Sequence, residues 1–191
     1  MPSRRRLLAA IGTAPLVGVA GCLGLAPRAD ADDPRDTPEF DYPDDPDRYP
    51  AFDDDHPVDV QIDRDDADDT VEIGSREGVP DRHRPHHLQI ADDVGGSTVE
   101  IGIYDALADE PVHGASHDLP EDGVRRFSLL EPSKYVLVLR VPDLEAERTL
   151  RVPCSFFDCN LSQTDVLIRE DGTIHASVVS TLVACSDPFE C

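Results

Sequence analysis

The sequence has no tryptophan, one methionine and one lysine, and aromatic residues make up only 5% of its 191 positions. Any hydrophobic core must therefore be built mainly from Val, Leu and Ile. Basic residues are also scarce, since 17 Lys and Arg face 40 Asp and Glu and leave a formal net charge of -23. Nucleic-acid binding depends on basic side chains that neutralise phosphates, so this charge argues against a nucleic-acid partner.

The charged residues are unusual in kind as well as in number. Lys134 is the only lysine among the 17 basic residues, and 29 of the 40 acids are Asp. Such a charge destabilises a compact state by self-repulsion, unless concentrated salt shortens the Debye length to about 3 Å at 1 M. This composition resembles that of proteins from salt-loving archaea, and we interpret the acids as a solvated halophilic surface.

The longest uncharged apolar run, Leu7 to Gly21, is short. It has 15 residues, whereas a membrane-spanning helix needs about 20. Three arginines, Arg4, Arg5 and Arg6, precede it. A basic head followed by a short apolar run predicts a signal peptide over residues 1–21, which takes no part in the fold.

Two short motifs refine this prediction. The residues Ser3 to Leu8, which include Arg4 and Arg5, resemble a twin-arginine export motif, with Leu7 where Phe is often found. The residues Val19 to Cys22 resemble a lipobox, with Val19 in place of the usual Leu. The resemblance implies export of a folded protein, cleavage before Cys22 and lipidation of that cysteine. We therefore expect a chain anchored by lipid to the outer face of the cell membrane. The alternative is an uncleaved N-terminus with an ordinary cysteine.

The segment that follows is rich in proline and aspartate. Seven prolines lie between residues 27 and 57, interleaved with acids such as Asp53, Asp54 and Asp55. Proline interrupts regular hydrogen-bond ladders and like charges repel, so residues 22–57 are expected to form an extended, disordered tether.

From residue 58 the pattern changes to short runs of alternating hydrophobic and polar residues, which is the period of half-buried strands. Val99, Ile101 and Ile103 show this pattern most clearly, and breakers such as Gly95-Gly96 and Pro132-Ser133 separate the runs. We predict an all-β, antiparallel β-sandwich over residues 58–191. The candidate strands are Val58–Ile62, Thr70–Ile73, His86–Ala91, Thr98–Tyr104, Tyr135–Val141, Thr149–Val152, Asp165–Arg169 and Thr173–Val183.

The dipeptide Asp171-Gly172 is a strong signal for a two-residue hairpin turn, because both positions tolerate positive φ. If Glu170 pairs with Thr173, the register favours disulfides between Cys159 and Cys185 and between Cys154 and Cys191. The local pairing, Cys154–Cys159 with Cys185–Cys191, remains open. Disulfides fit an oxidising exterior. A four-thiolate zinc site is the alternative, but the spacings between the cysteines are looser than those of usual zinc knuckles.

The strand pattern resembles that of small immunoglobulin-like domains in exported lipoproteins of haloarchaea. The resemblance covers roughly the last 120 residues. It implies a sandwich and transfers no catalytic residue. The residues that carry it are Val71–Gly74, His86–Ile90, Thr98–Tyr104, Leu129–Val141 and Asp165–Cys185.

Motifs for catalysis are absent from the sequence, which has no Gly-x-Ser-x-Gly, Ser-x-x-Lys or His-Glu-x-x-His. We therefore expect a non-enzymatic interaction or structural module without a cofactor, which binds an unidentified protein or surface. The alternative is an exported copper- or zinc-binding protein. Its ligands would come from the histidines His83, His86, His87, His113 and His117.

Overall fold

The computed structural model describes residues 37–53, 62, 67–93, 95–121, 123–185 and 191. Within these residues nine strands account for most of the regular structure, together with three short 3-10 helices, Pro46–Arg48, Pro142–Leu144 and Cys154–Phe157. The strands are β1 Ala67–Ile73, β2 His86–Asp92, β3 Thr98–Asp105, β4 Glu110–Asp118, β5 Val124–Leu129, β6 Tyr135–Val141, β7 Ala146–Val152, β8 Ser162–Ile168 and β9 Ile174–Ser180.

The strands form two sheets. The first sheet has the order β1-β5-β2-β8-β9 and the second has the order β4-β3-β6-β7. Within the described residues, five of the seven strand pairs are antiparallel, and the pairs β1–β5 and β2–β8 are parallel. The prediction of an all-β sandwich is confirmed, with these two parallel pairs as a feature that the alternating pattern did not reveal.

The core lies between the sheets and is built from alternating side chains. Val99, Ile101 and Ile103 of β3 are all fully buried, as the alternation predicts. Leu88 and Ile90 of β2 face them from the first sheet and are fully buried as well. Phe127 and Phe157 are among the few large aromatic side chains in this core, so Val, Leu and Ile supply most of the buried hydrophobic area.

The turn between β8 and β9 differs from the predicted one. Ile168 pairs with Ile174, and Arg169 therefore lies opposite Thr173. The loop between them holds the three residues 170–172 instead of the predicted two. Gly172 donates to the carbonyl of Arg169 over 3.0 Å and has φ +82°, while Arg169 donates to Thr173 over 2.9 Å. This is the three-residue loop in which a glycine with positive φ follows a tight turn. The predicted register was therefore wrong by one residue.

The sequence analysis missed β4 and β5. Strand β4 contains Pro111 and Gly114, which are rare in strands, and lies at the edge of its sheet. In β5 two consecutive arginines, Arg125 and Arg126, interrupt the alternation. These two strands form because they pair with neighbours: β4 hydrogen-bonds with β3 and β5 with β2, which local propensity does not predict.

Residues 37–53, which we call the strap, pack against the sandwich. Phe40 lies over the outer face of the second sheet with the Arg140 guanidinium 4.9 Å from its ring centroid, and Tyr42 stacks on Tyr104 at 4.9 Å. Further along, the Pro50 carbonyl accepts a hydrogen bond from the backbone of β7. The backbone N–H of Asp53 donates to the Ala176 carbonyl of β9. The folded unit therefore begins before residue 58, where the sequence analysis placed its boundary. The remaining tether residues, 22–36 and 54–57, lie outside the described residues.

The strap ends in a charged contact that joins the two sheets. Both carboxylate oxygens of Asp53 accept hydrogen bonds from Arg148 of β7, and one also accepts from the backbone of Ala176 over 2.9 Å. Burial alone would raise the pKa of Asp53, but the hydrogen bonds from Arg148 and Ala176, the charge of Arg148 and the neighbouring His175 outweigh it and lower the pKa. The strap thereby covers one open side of the sandwich.

Two glycines beneath Phe40 offer a matched test of strap docking. A Cβ at Gly102 would lie 2.6 Å from Cγ of Phe40, whereas a Cβ at Gly114 would lie 3.6 Å from the same ring. Gly102→Ala should therefore lower the free energy of unfolding by about 1–3 kcal/mol, as expected for overpacking. Denaturant unfolding followed by circular dichroism measures this change.

The control is Gly114→Ala, which should change stability by less than about 0.5 kcal/mol. In a Phe40→Ala background the cost of Gly102→Ala should disappear, because the clashing ring is gone. An equal cost in both backgrounds would mean that Phe40 does not sit over Gly102.

Candidate functional site

The C-terminal segment is tied to the sandwich by two disulfides. Cys154 is bonded to Cys191 and Cys159 to Cys185, with Cα atoms 5.7 and 5.8 Å apart. This is the pairing that the sequence analysis favoured, although the hairpin register behind it was wrong by one residue. All four cysteines lie outside β8 and β9, which cover Ser162–Ile168 and Ile174–Ser180. The pairing therefore follows from how close the flanking segments lie to each other and not from the register of the hairpin. Asn160 adds to this link, since its side chain donates to the Val183 carbonyl and accepts from the Val183 backbone.

His86 lies in the sandwich core. Its Nδ1 is 2.7 Å from Oγ of Ser162, its Nε2 is 2.9 Å from Oγ1 of Thr164, and its ring stacks on Phe156 at 5.1 Å. The ring is fully buried. Burial, with a smaller contribution from the charge of His87, lowers the pKa of His86 to about 3. The imidazole is therefore neutral at physiological pH and serves to satisfy buried hydroxyl groups.

The other two histidines of the predicted N-terminal group point elsewhere. His87 follows His86 in β2 and lies on the opposite face, where its Nδ1 is 3.0 Å from Oγ of Ser128. His83 lies in the loop before β2 and is mostly buried. His83, His86 and His87 therefore do not converge on one point. For His86 and His87 this follows from their adjacent positions in a strand, because neighbouring side chains point to opposite faces.

His113 and His117 do come together, at the edge strand β4. Their Nε2 atoms are 3.0 Å apart, and their ring planes differ by only 18°. Both rings pack against the buried Phe127 of β5, at centroid distances of 5.6 and 5.0 Å. The sequence analysis named both residues, but it did not predict the strand that holds them or their contact.

A buried polar cluster on the first sheet was not predicted. Gln89, Gln163 and Asp165 are each at most 2% exposed, although all three are polar. The Gln163 amide donates to the carbonyl of Ile62 over 3.2 Å and to Asp165, and the Ile62 backbone donates to Asp165 over 3.3 Å. These bonds hold residue 62 against the outer face of the sheet, so the cluster has a structural use.

The described part of the chain forms at least two surface grooves. The larger, about 660 Å³, is lined by loop residues that include Pro80, His83, Leu107 and Pro132. Two acids, Asp105 and Glu131, also line it. The Asp105 carboxylate accepts a hydrogen bond from the backbone of Leu107 over 2.9 Å, which stabilises the turn between β3 and β4. The smaller groove, about 500 Å³, lies between the strap and β4.

Three predicted site residues, Arg4, Arg5 and Cys22, lie outside the described residues. In the part that is described, no helix is long and apolar enough to cross a membrane. The same residues contain no cluster of three or more His, Cys, Asp or Glu side chains with metal-binding geometry. A search with known protein-family models finds no match, and no curated protein is detectably similar in sequence.

Proposed function

We propose that this chain is an exported lipoprotein whose β-sandwich is held outside the cell by a lipid on Cys22 and serves as a non-enzymatic interaction or structural module. The observation that carries the proposal is the pair of disulfides in the folded domain. Structural disulfides form and persist in oxidising compartments, and they are rare in reducing ones. As part of this proposal, the β-sandwich is an immunoglobulin-like domain of the kind found in haloarchaeal lipoproteins.

The cysteine arithmetic supports the anchor. Four of the five cysteines are paired, which leaves Cys22. This remaining cysteine is the one that follows the small residues of the lipobox. A diacyl group on Cys22 would bury two chains in the bilayer, and two chains are needed for stable anchoring.

The strap sets how far the domain could extend from such an anchor. Only residues 23–36 separate Cys22 from the first strap residue, Thr37. A fully extended chain spans about 3.5 Å per residue, so this segment reaches at most about 50 Å. The docked strap therefore keeps the domain nearer the membrane than a tether running to residue 57 would.

The side chains that most resemble a catalytic pair fit a structural role. Ser162 and His86 are within hydrogen-bonding distance, but both are buried and the Ser162 hydroxyl donates to the Phe156 carbonyl over 2.6 Å. A nucleophile must reach its substrate, and this serine lies inside the core. This arrangement supports the non-enzymatic proposal.

Replacement of Cys22 tests the anchor. Cys22→Ala should move the protein from the membrane fraction to the medium, because the lipidated sulfur is lost. Arg4→Lys with Arg5→Lys should leave the precursor inside the cell, because the export motif is lost. Cell fractionation with immunoblotting measures both, and mass spectrometry of the purified protein shows whether it begins at a lipidated Cys22.

Leu25→Ala is the matched control, since it changes a nearby apolar residue and leaves the lipobox intact. It should stay with the membrane. Retention of the Cys22→Ala variant in the membrane fraction at the wild-type level would contradict the anchor.

A further inference from the structure

The contact between His113 and His117 depends on the residue between them. Residues 113, 115 and 117 share one face of β4, and the outer two are four residue steps apart, which is about 13 Å along a strand. The middle residue is Ala115, whose methyl group leaves space for both imidazoles to lean along the strand and meet above it.

The two Nε2 atoms face each other. The proton and the lone pair of an imidazole nitrogen both lie in the ring plane, so the hydrogen bond of 3.0 Å between the nitrogens requires them to point at one another. The ring centroids are 5.2 Å apart, which matches rings arranged end to end. One ring carries the shared proton on Nε2, and the other presents a lone pair.

Phe127 holds this pair in place. Its ring is fully buried and contacts both imidazoles at steep angles, 61° and 78°. On the backbone side, the Tyr42 hydroxyl of the strap donates to the His113 carbonyl over 3.4 Å. Both imidazoles are only partly buried, so an ion from solvent has access to them.

We propose that His113 and His117 bind one monovalent d¹⁰ cation, Cu(I), between their facing Nε2 atoms. Imidazole is a good ligand for copper. Opposed lone pairs suit linear two-coordination, which Cu(I) and its redox-inert analogue Ag(I) readily adopt. A tetrahedral ion such as Zn(II) requires lone pairs that converge instead.

The two imidazole rings must move apart for an ion to fit between their Nε2 atoms, which are now 3.0 Å apart. Bonds from a metal to imidazole nitrogen are about 2.0 Å, so a linear site needs nitrogens about 4 Å apart. The rings must therefore separate by about 1 Å, which small side-chain rotations on an edge strand allow. For both nitrogens to coordinate the ion, the donor ring must give up its Nε2 proton, so that each imidazole faces the ion through a lone pair.

Silver titration tests this site independently of the membrane anchor. The protein used is the full chain carrying Cys22→Ala, which leaves no cysteine outside the two disulfides, and nitrate buffer avoids silver chloride. We expect one equivalent of Ag(I) by calorimetry, with ¹⁵N NMR shifts at Nε2 of both histidines. His113→Ala and His117→Ala should each weaken uptake at least tenfold.

His87→Ala is the control, because His87 lies in the other sheet and faces away from the core; it should bind Ag(I) like the parent. Thermal unfolding of every variant shows whether it is folded. His117→Asn serves as a second variant if His117→Ala does not fold. The proposal is overturned by absence of uptake, by uptake that survives both substitutions, or by a parent that binds Zn(II) more tightly than Ag(I).

Discussion

Lowering the pH from 7 to 5 should reduce the free energy of unfolding by about 2 kcal/mol through His86 alone. The pKa of His86 is lowered from 6.5 to about 3 in the folded protein because the ring is buried. Between these two values the unfolded chain binds more protons than the native state. Stability therefore rises with pH in this window, and it is lost as the pH falls below 6.5. The loss ends near pH 3, where the native ring also becomes protonated.

The measurement is a series of denaturant unfolding curves at constant high salt, at pH values from 7 to 5. His86→Gln removes the titrating group and retains a polar side chain near Ser162 and Thr164. This variant should be less stable at pH 7, but its stability should fall by about 2 kcal/mol less than that of the wild type between pH 7 and 5.

The comparison isolates His86 from other titrating groups. The pKa of Asp53 is lowered from 3.8, so its contribution is lost only at pH values below this window. His87→Gln, on the opposite face of the same strand, is the matched control; it leaves His86 buried, which is the main cause of its lowered pKa, and should keep most of the wild-type loss. Equal losses in the wild type and in His86→Gln would show that His86 is not a buried neutral histidine.

Removal of the Cys159–Cys185 disulfide should lower the free energy of unfolding by about 3.5 kcal/mol in the chain-entropy description. The cysteines are 26 residues apart, so the crosslink restricts a sizeable loop in the unfolded chain. It also fixes the segment after β9, where Val183 donates to Oδ1 of Asn160 over 2.8 Å. The double variant Cys159→Ala/Cys185→Ala should therefore unfold at much lower denaturant concentration.

Cys154→Ala/Cys191→Ala is the matched comparison. Its loop spans 37 residues, so the expected loss is slightly larger, about 4 kcal/mol. Peptide mapping without reduction determines the pairing directly. A peptide that links Cys154 to Cys159 would contradict the pairing, and a loss below about 1 kcal/mol would contradict the stabilising role of the crosslink.

Much of the fold could be predicted from local pattern. The alternation in β3 and the apolar run of β6 identify strands directly, because the side-chain period of a strand is a property of its own residues. The turn at Gly172 was located correctly, but its length was not. Two- and three-residue loops both use a glycine with positive φ, so the sequence does not distinguish them.

The candidate sites were harder to predict. The buried position of His86 depends on the pairing of β2 with β8, which is distant in sequence and brings Ser162 and Thr164 to the imidazole ring. The strap was assigned to a tether because its prolines and acids predict an extended chain. An extended chain can still dock, and Phe40 does so because Gly102 leaves space beneath its ring.

The sequence by itself determined most of the strand-forming segments, though not β4 and β5, together with the strongly acidic character and the presence of four cysteines near the C-terminal hairpin. The export signal and lipid anchor that it predicts remain predictions. The tertiary structure decided the parallel pairs, the one-residue register, the docking of the strap and the meeting of His113 with His117 above Ala115. The physical reason is range: periodicity and turn preference act between near neighbours, whereas burial and facing side chains arise only when strands distant in sequence pair and pack.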